Sequence, residues 1–240
     1  MINCKTVFLD LDGVLIDSLP ETYAVSTDVF FGSFVGEPGP RYKELFYRYR
    51  GIVGPPEHFY LLHSVIVEMT GSGDPSSLDS VKKKFSQALE KTPDSVLQTF
   101  KEHFLERRLE LQVNLTDWFS MNPVTKYGSF LAGKNLQNFV LNTTKNQDAA
   151  LLILEHYDIR ITECLTNLDF VKAGSKGALI HDYMVRFPNE AGAIFVDDMD
   201  EHLHSVKTSG VECYFASWGY GDSSAFPEFS SELWHLGIAS

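Results

Sequence analysis

The stretch that most constrains this chain is its beginning, Thr6-Val7-Phe8-Leu9-Asp10-Leu11-Asp12-Gly13-Val14-Leu15-Ile16-Asp17-Ser18. A short apolar run rich in β-branched and aromatic residues reads as a buried strand. It stops at two carboxylates one residue apart, followed directly by glycine. An unpaired charge in the middle of a buried strand is very costly. The acids therefore belong at the strand's C-terminal end, where open α/β sheets place their ligands. Residues i and i+2 point to one side, so Asp10 and Asp12 face a common spot. Two like charges held that close call for a cation between them or a shared proton. A hard divalent ion such as Mg²⁺ suits an all-oxygen site of this kind. Gly13 permits a backbone conformation or a close approach that a side chain would block.

Later in the chain, strand and helix patterns alternate. Asn138 to Leu141 reads as a strand ending at Asn142-Thr143-Thr144-Lys145. A helix (Asp148 to His156), a strand (Ile161 to Leu165), a loop (Thr166 to Ser175) and a helix (Lys176 to Phe187) follow. The apolar strand Ala193-Ile194-Phe195-Val196 runs into Asp197-Asp198. A helix over Glu201 to Thr208, a strand at Val211 to Ala216 and the loop Ser217 to Asp222 complete the series. Such alternation predicts βαβ units and a parallel sheet, to which the first strand belongs. Three strands then deliver polar residues to one sheet edge: Asp10 and Asp12, Thr143, and Asp197 with Asp198. A helix cap explains one acid after the Val196 strand, but not two.

Between these parts, residues 19–122 show helical spacing and no strand pattern. Gly32 to Pro40 reads as a loop, and breakers at Gly51 to Pro56 and Gly71 to Pro75 divide the block. Asp94 to Leu115 carries apolar residues at Val96, Leu97, Phe100, Phe104, Leu105 and Leu109, as a helix with a buried face would. His58, His63 and His103 lie in this block. Each could touch a substrate, and each reads first as a surface or satisfied core residue.

The string Phe8 to Ser18 resembles the first motif of the haloacid-dehalogenase-like (HAD) superfamily of aspartate-nucleophile phosphotransferases. Thr143-Thr144-Lys145 is similar to the family's second motif, and Asp197-Asp198 to its acidic fourth motif. Ser217-Trp218-Gly219-Tyr220-Gly221 is similar to the loop after the last strand in phosphoglycolate-phosphatase-like members. The third motif needs a lysine before the Asp197 strand. Lys176, in Gly174-Ser175-Lys176-Gly177, resembles the Lys-Gly variant, while Lys172 has the more usual spacing to Asp197. The family's Asp four residues after Asp198 is replaced by His202, which reads as a helix residue at the rim of the site.

The resemblance implies a three-layer Rossmann-like α/β core with a parallel sheet, residues 1–18 and 123–240. An inserted all-α cap domain, residues 19–122, would close over the site and choose the substrate. It implies Asp10 as nucleophile and Asp12 as general acid and base. Thr143, Thr144 and Lys176 would bind the substrate phosphate, with Thr143 and Lys176 also catalytic. Mg²⁺ would be held by Asp10, the Asp12 carbonyl, and Asp197 or Asp198. An acid at position 12 favours a phosphate-ester hydrolase over a dehalogenase, since the leaving alkoxide needs a proton. A sugar-phosphate mutase and a non-catalytic HAD-like binding protein are the alternatives.

The net charge of −12 disfavours nucleic acid as a partner. The one basic run, Lys82-Lys83-Lys84, reads as a solvated helix face. The implied partner is a small phosphorylated metabolite, with no membrane, and the chain a monomer or homodimer. Three scattered cysteines, Cys4, Cys164 and Cys213, form no metal spacing or disulfide framework and read as small buried residues of a reducing compartment. The first strand begins within a few residues of Met1, without the pattern of a signal peptide. A cytoplasmic protein is the expectation.

Overall fold

A computed structural model describes residues 4–32, 38–72, 77–161, 163–222 and 224–236. The chain divides into two compact units, Met1–Ser18 with Pro123–Ser240, and Leu19–Asn122. The first strand, β1 (Thr6–Leu9), is buried throughout. Among the described residues, the second unit carries the α-helices α1 (Leu19–Phe31), α2 (Pro40–Tyr49), α3 (His58–Ser72), α4 (Leu78–Lys91), α5 (Asp94–Gln112) and α6 (Leu115–Ser120), with a 3-10 turn at Arg50–Ile52. Parts of the expected loop at Gly32 to Pro40 and of the breaker at Gly71 to Pro75 lie outside the described residues.

The helical unit closes around Val25, Leu45, Phe46, Leu62, Ile66 and Phe104, all buried. Two polar pairs sit within it. Glu21 is fully buried and takes a two-pronged bond from Arg108, Nε to Oε1 at 2.6 Å and Nη2 to Oε2 at 2.9 Å. His63 Nδ1 lies 2.5 Å from the Tyr42 hydroxyl, with its ring stacked against Phe30 and Phe46. His63 is thus a core residue bonded through Nδ1, its buried Nε2 without a hydrogen-bond partner among the described residues, while His58 is half-buried and His103 exposed. On α5 the expected apolar face is only partly used. Leu97, Phe100 and Phe104 are buried, but Leu105 and Leu109 are 40% and 58% exposed. A 19-residue helix can present more than one apolar stripe, and only one meets the core.

The α/β unit resumes with α7 (Lys126–Leu131), β2 (Phe139–Asn142), α8 (Gln147–His156), β3 (Glu163–Leu165), α9 (Asn167–Ala173), α10 (Lys176–Arg186), β4 (Ala193–Asp197), α11 (Asp200–Ser205) and β5 (Val211–Phe215). Among the described residues, five strands form one sheet in the order β3-β2-β1-β4-β5, every pair parallel. β1 is central and, like β2 and β4 beside it, buried on both faces, as strands inside a parallel sheet are. The chain builds outward from β1 to β3 on one side, then crosses to lay β4 against the other. A sheet of this kind opens a crevice at the carboxyl ends where the direction of winding reverses, here beside β1 and β4.

One expected loop is a helix. Thr166 to Ser175 contains α9, begun by a capping box in which the Thr166 N–H donates to the Asp169 side chain at 3.0 Å and ended by Gly174 in the left-handed conformation. The Thr-x-x-Asp signal for it stands in the sequence. Thr162, within the expected strand from Ile161, lies outside the described residues.

Candidate active site

The ladder between β1 and β4 continues one step past β1, with the Asp10 N–H donating to the Val196 carbonyl at 3.1 Å. That bond sets Asp10 directly beside the end of β4. From the start of α10, the buried Lys176 ammonium reaches both strand ends. Its Nζ lies 2.8 Å from Asp10 Oδ2 and 2.7 Å from Asp197 Oδ2. Lys176 is therefore the lysine at the strand ends, while Lys172 on α9 is exposed. Gly177 explains the Lys-Gly step: a Cβ there would stand 2.1 Å from the Ser205 carbonyl oxygen, so only glycine lets α10 pack this closely on the end of α11.

The remaining contacts fix the carboxylates one by one. Asp10 Oδ1 accepts from the Leu11 N–H at 2.7 Å. Asp197 Oδ1 accepts from the Met199 N–H at 2.8 Å, and both Asp197 oxygens lie 3.1 Å from His202 Nδ1. Asp12 is half-buried and accepts at Oδ1 from Lys145 Nζ at 2.9 Å. Thr143, buried at the end of β2, accepts from the Lys145 N–H at 3.2 Å. Among the bonds of the described residues its hydroxyl donates none, so its hydrogen is free to serve an incoming oxygen. Thr144 is exposed.

Asp198 is held in a different way from Asp197. Its Oδ2 accepts from the Tyr220 N–H at 2.6 Å. Two glycines close around it: a Cβ at Gly13, whose φ is +83°, would lie 2.3 Å from Asp198 Oδ2, and one at Gly219 would lie 2.3 Å from Asp198 Cβ. The first motif and the last loop thus grip this carboxylate together. The same loop clamps the end of the motif, with the Trp218 indole donating to the Val14 carbonyl at 3.0 Å. The Tyr220 hydroxyl accepts from the Ser18 N–H at 2.6 Å.

Burial pushes the Asp10 carboxyl up to about 6, with Lys176 opposing that rise. Burial acts on Asp197 in the same sense, but Lys176 and His202 outweigh it and hold the group well below the usual carboxylate range. Burial disfavours the Lys176 charge, yet the two carboxylates raise its affinity for a proton above the ordinary lysine value. Two buried carboxylates thus share one ammonium, which leaves a net negative charge out of water. A carboxylate oxygen from Asp10, one from Asp197 and a ring nitrogen of His202 lie within 4.8 Å of one another, a donor set that suits a divalent cation.

Of the residues expected from the sequence, Asp10, Asp197 and Lys176 meet directly, and Asp12 with Thr143 gathers around Lys145. Lys145 and His202 were not expected among the central groups. His202, read as a rim residue, has a side chain only 26% exposed and bonds Asp197. Its place five residues after Asp197, as the third residue of α11, is the signal that brings it back over the sheet edge. The three cysteines are half-buried and unpaired, and burial raises the Cys164 and Cys213 thiols to about 11. No helix among the described residues is long and apolar enough to cross a membrane.

No protein-family model matches the chain, and no curated protein matches it. Solved structures do. A protein of Lactobacillus delbrueckii subsp. bulgaricus, provisionally named a phosphoglycolate phosphatase, is 12% identical over 99% of this chain and 100% of its own, with a TM-score of 0.60. A haloacid dehalogenase-like hydrolase of Streptococcus pneumoniae is 16% identical over 96% of both chains, TM-score 0.54. YfnB of Bacillus subtilis, provisionally named a HAD hydrolase and solved bound to magnesium, is 13% identical over 98% of both chains, TM-score 0.55. The chain therefore has the fold of the haloacid-dehalogenase-like proteins, an α/β unit interrupted after its first strand by a helical insertion.

Proposed function

We propose that this protein is a divalent-cation-dependent phosphatase that hydrolyses a small phosphate monoester through an aspartyl-phosphate on Asp10. The observation that carries the reading is the Lys176 ammonium set between Asp10 and Asp197 at the two central strand ends, 2.8 and 2.7 Å away. Positive charge fixed where phosphate and carboxylate crowd together is what phosphoryl transfer requires of a protein.

Asp10 attacks phosphorus through the carboxylate form, which it still largely holds at neutral pH despite its rise to about 6. Its bond from the Leu11 N–H fixes one oxygen, leaving the orientation of the carboxylate determined before substrate arrives. Thr143 donates its hydroxyl hydrogen to a transferring oxygen, and Lys176 pairs with another. Thr144, next in the chain and exposed, is a further contact for the phosphate. Asp12 gives its proton to the leaving alkoxide and later takes one from the attacking water. Lys145 holds the Asp12 side chain in place for both steps. Asp10, the Asp12 carbonyl and Asp197 would hold the cation, which on binding offsets the repulsion between phosphate and carboxylate. Asp198 supports the centre by joining the first motif to the last loop. The inserted helical unit is assigned the choice of ester, and a cytoplasmic location goes with this reading.

The test is release of phosphate from p-nitrophenyl phosphate and a panel of natural esters, with and without divalent ion, for wild type and Asp10→Asn. Ion-dependent release that vanishes in the variant is expected. Release that survives Asp10→Asn would contradict the proposal.

A further inference from the structure

We infer that His202 makes this centre a mixed nitrogen–oxygen metal site, one that prefers a first-row transition ion, even one as hard as Mn²⁺, to Mg²⁺. The inference rests on the reading that Asp10 and Asp197 hold a divalent cation, and it deepens that reading by naming the ion's class.

The imidazole is placed firmly. His202 lies on α11, its N–H bonded to the Met199 carbonyl at 3.0 Å and its own carbonyl accepting from Ser205 Oγ at 2.6 Å. The ring meets the Asp197 carboxylate, 3.1 Å from each oxygen, and shares the 4.8 Å cluster with Asp10. Each Asp197 oxygen also has another partner. Lys176 already serves Oδ2 at 2.7 Å and the Met199 N–H serves Oδ1 at 2.8 Å. His202 thus adds a third contact to a carboxylate already paired on both oxygens. As the third member of a ligand set it has a use: two buried oxygens and one nitrogen on one side of a cation leave the other side for substrate and water.

The chemistry of the donors then sets the preference. Mg²⁺ is small, hard and slow to give up water, and is served by oxygen. Imidazole nitrogen suits the softer divalent ions, and affinity at nitrogen-bearing sites rises along the first transition row. One nitrogen among the oxygens of this set thus gives the preference a predictable direction.

Pulsed electron paramagnetic resonance on the Mn²⁺-loaded full chain tests it, together with Mg²⁺ competition against bound Mn²⁺. Wild type should show nitrogen modulation from a directly bound imidazole. In His202→Asp that modulation should vanish, and the preference for Mn²⁺ over Mg²⁺ should fall by about tenfold or more. His202→Gln provides a second nitrogen-ring-free variant, and thermal melting of both shows that the fold is kept. Mn²⁺ bound without nitrogen modulation, or a preference unchanged in both variants, would overturn the inference while leaving Asp10-dependent phosphate release untouched. Failure of wild type to bind any divalent ion would overturn it as well. Loss of the proposed function would show separately, as absence of Asp10-dependent turnover under any ion.

Discussion

The two units bury charge in opposite ways. In the helical unit, Glu21 and Arg108 form one closed pair, each satisfying the other, and His63 with Tyr42 forms a second pair inside aromatic rings. In the α/β unit, Asp10, Asp197, Lys176 and His202 form an open network with an excess of negative charge. The Glu21–Arg108 pair matches charge with charge and leaves none over. An open network leaves charge unbalanced, and a cation can balance it. That contrast, more than any single motif, separates structural polarity from chemical polarity in this chain.

The largest effect expected is from Lys176→Met. It leaves two carboxylates facing each other out of water, so stability should drop by roughly 3–5 kcal/mol at neutral pH. Turnover of the folded fraction should fall by about 10²–10³, the cost of one preorganised electrostatic group. Denaturant melts and single-substrate kinetics read the two losses independently. Arg108→Met, in the helical unit, should cost a similar roughly 3–5 kcal/mol by stranding Glu21, but turnover measured well below the melting range should change little. Equal loss of turnover in the two variants would break the contrast.

His63 sharpens it through pH. Burial lowers the imidazole to about 3, against an ordinary value of about 6.5 in the unfolded chain. The unfolded state therefore binds the extra proton first, and stability is lost as pH falls from about 6.5 toward 3, on the order of a few kcal/mol in total. His63→Gln, which keeps a partner for Tyr42 and cannot titrate, should flatten that decline in urea midpoints measured across the acid range. An identical slope in the variant would show that another group carries it. The smallest effect is that of Tyr220→Phe. It removes the hydroxyl bonds to Ser18 and Asp17 and should cost about 1 kcal/mol, visible as a modest shift in the melt.

Much of this was legible from residues alone because strand ends carry the chemistry. The apolar run before Asp10 and the one before Asp197 each announce where a buried strand stops, and polar residues there have few other reasons to exist. The choice of Lys176 over Lys172 turned on glycine at 177, a local signal whose cause is the close approach to Ser205. What escaped was set by placement in space. His202 sits on the short helix after β4, and only the packing of that turn over the sheet edge brings it to Asp197. Lys145 reaches Asp12 across 133 positions of sequence, a contact that periodicity cannot reveal. Leu105 and Leu109 satisfy helical spacing yet face out, because the spacing defines a stripe without saying what covers it. The helix α9 was missed for a plainer reason: its capping box was there to be read, but its seven residues are too few to show a period.

The central claim is that Asp10 becomes covalently phosphorylated. The direct measurement is to quench the protein during turnover of a phosphate ester, reduce it with borohydride, and sequence its peptides by mass spectrometry. Homoserine at position 10, formed only with substrate and divalent ion present, is the predicted result. Turnover with Asp10 unmodified, or reduction at a different carboxylate, would contradict the account.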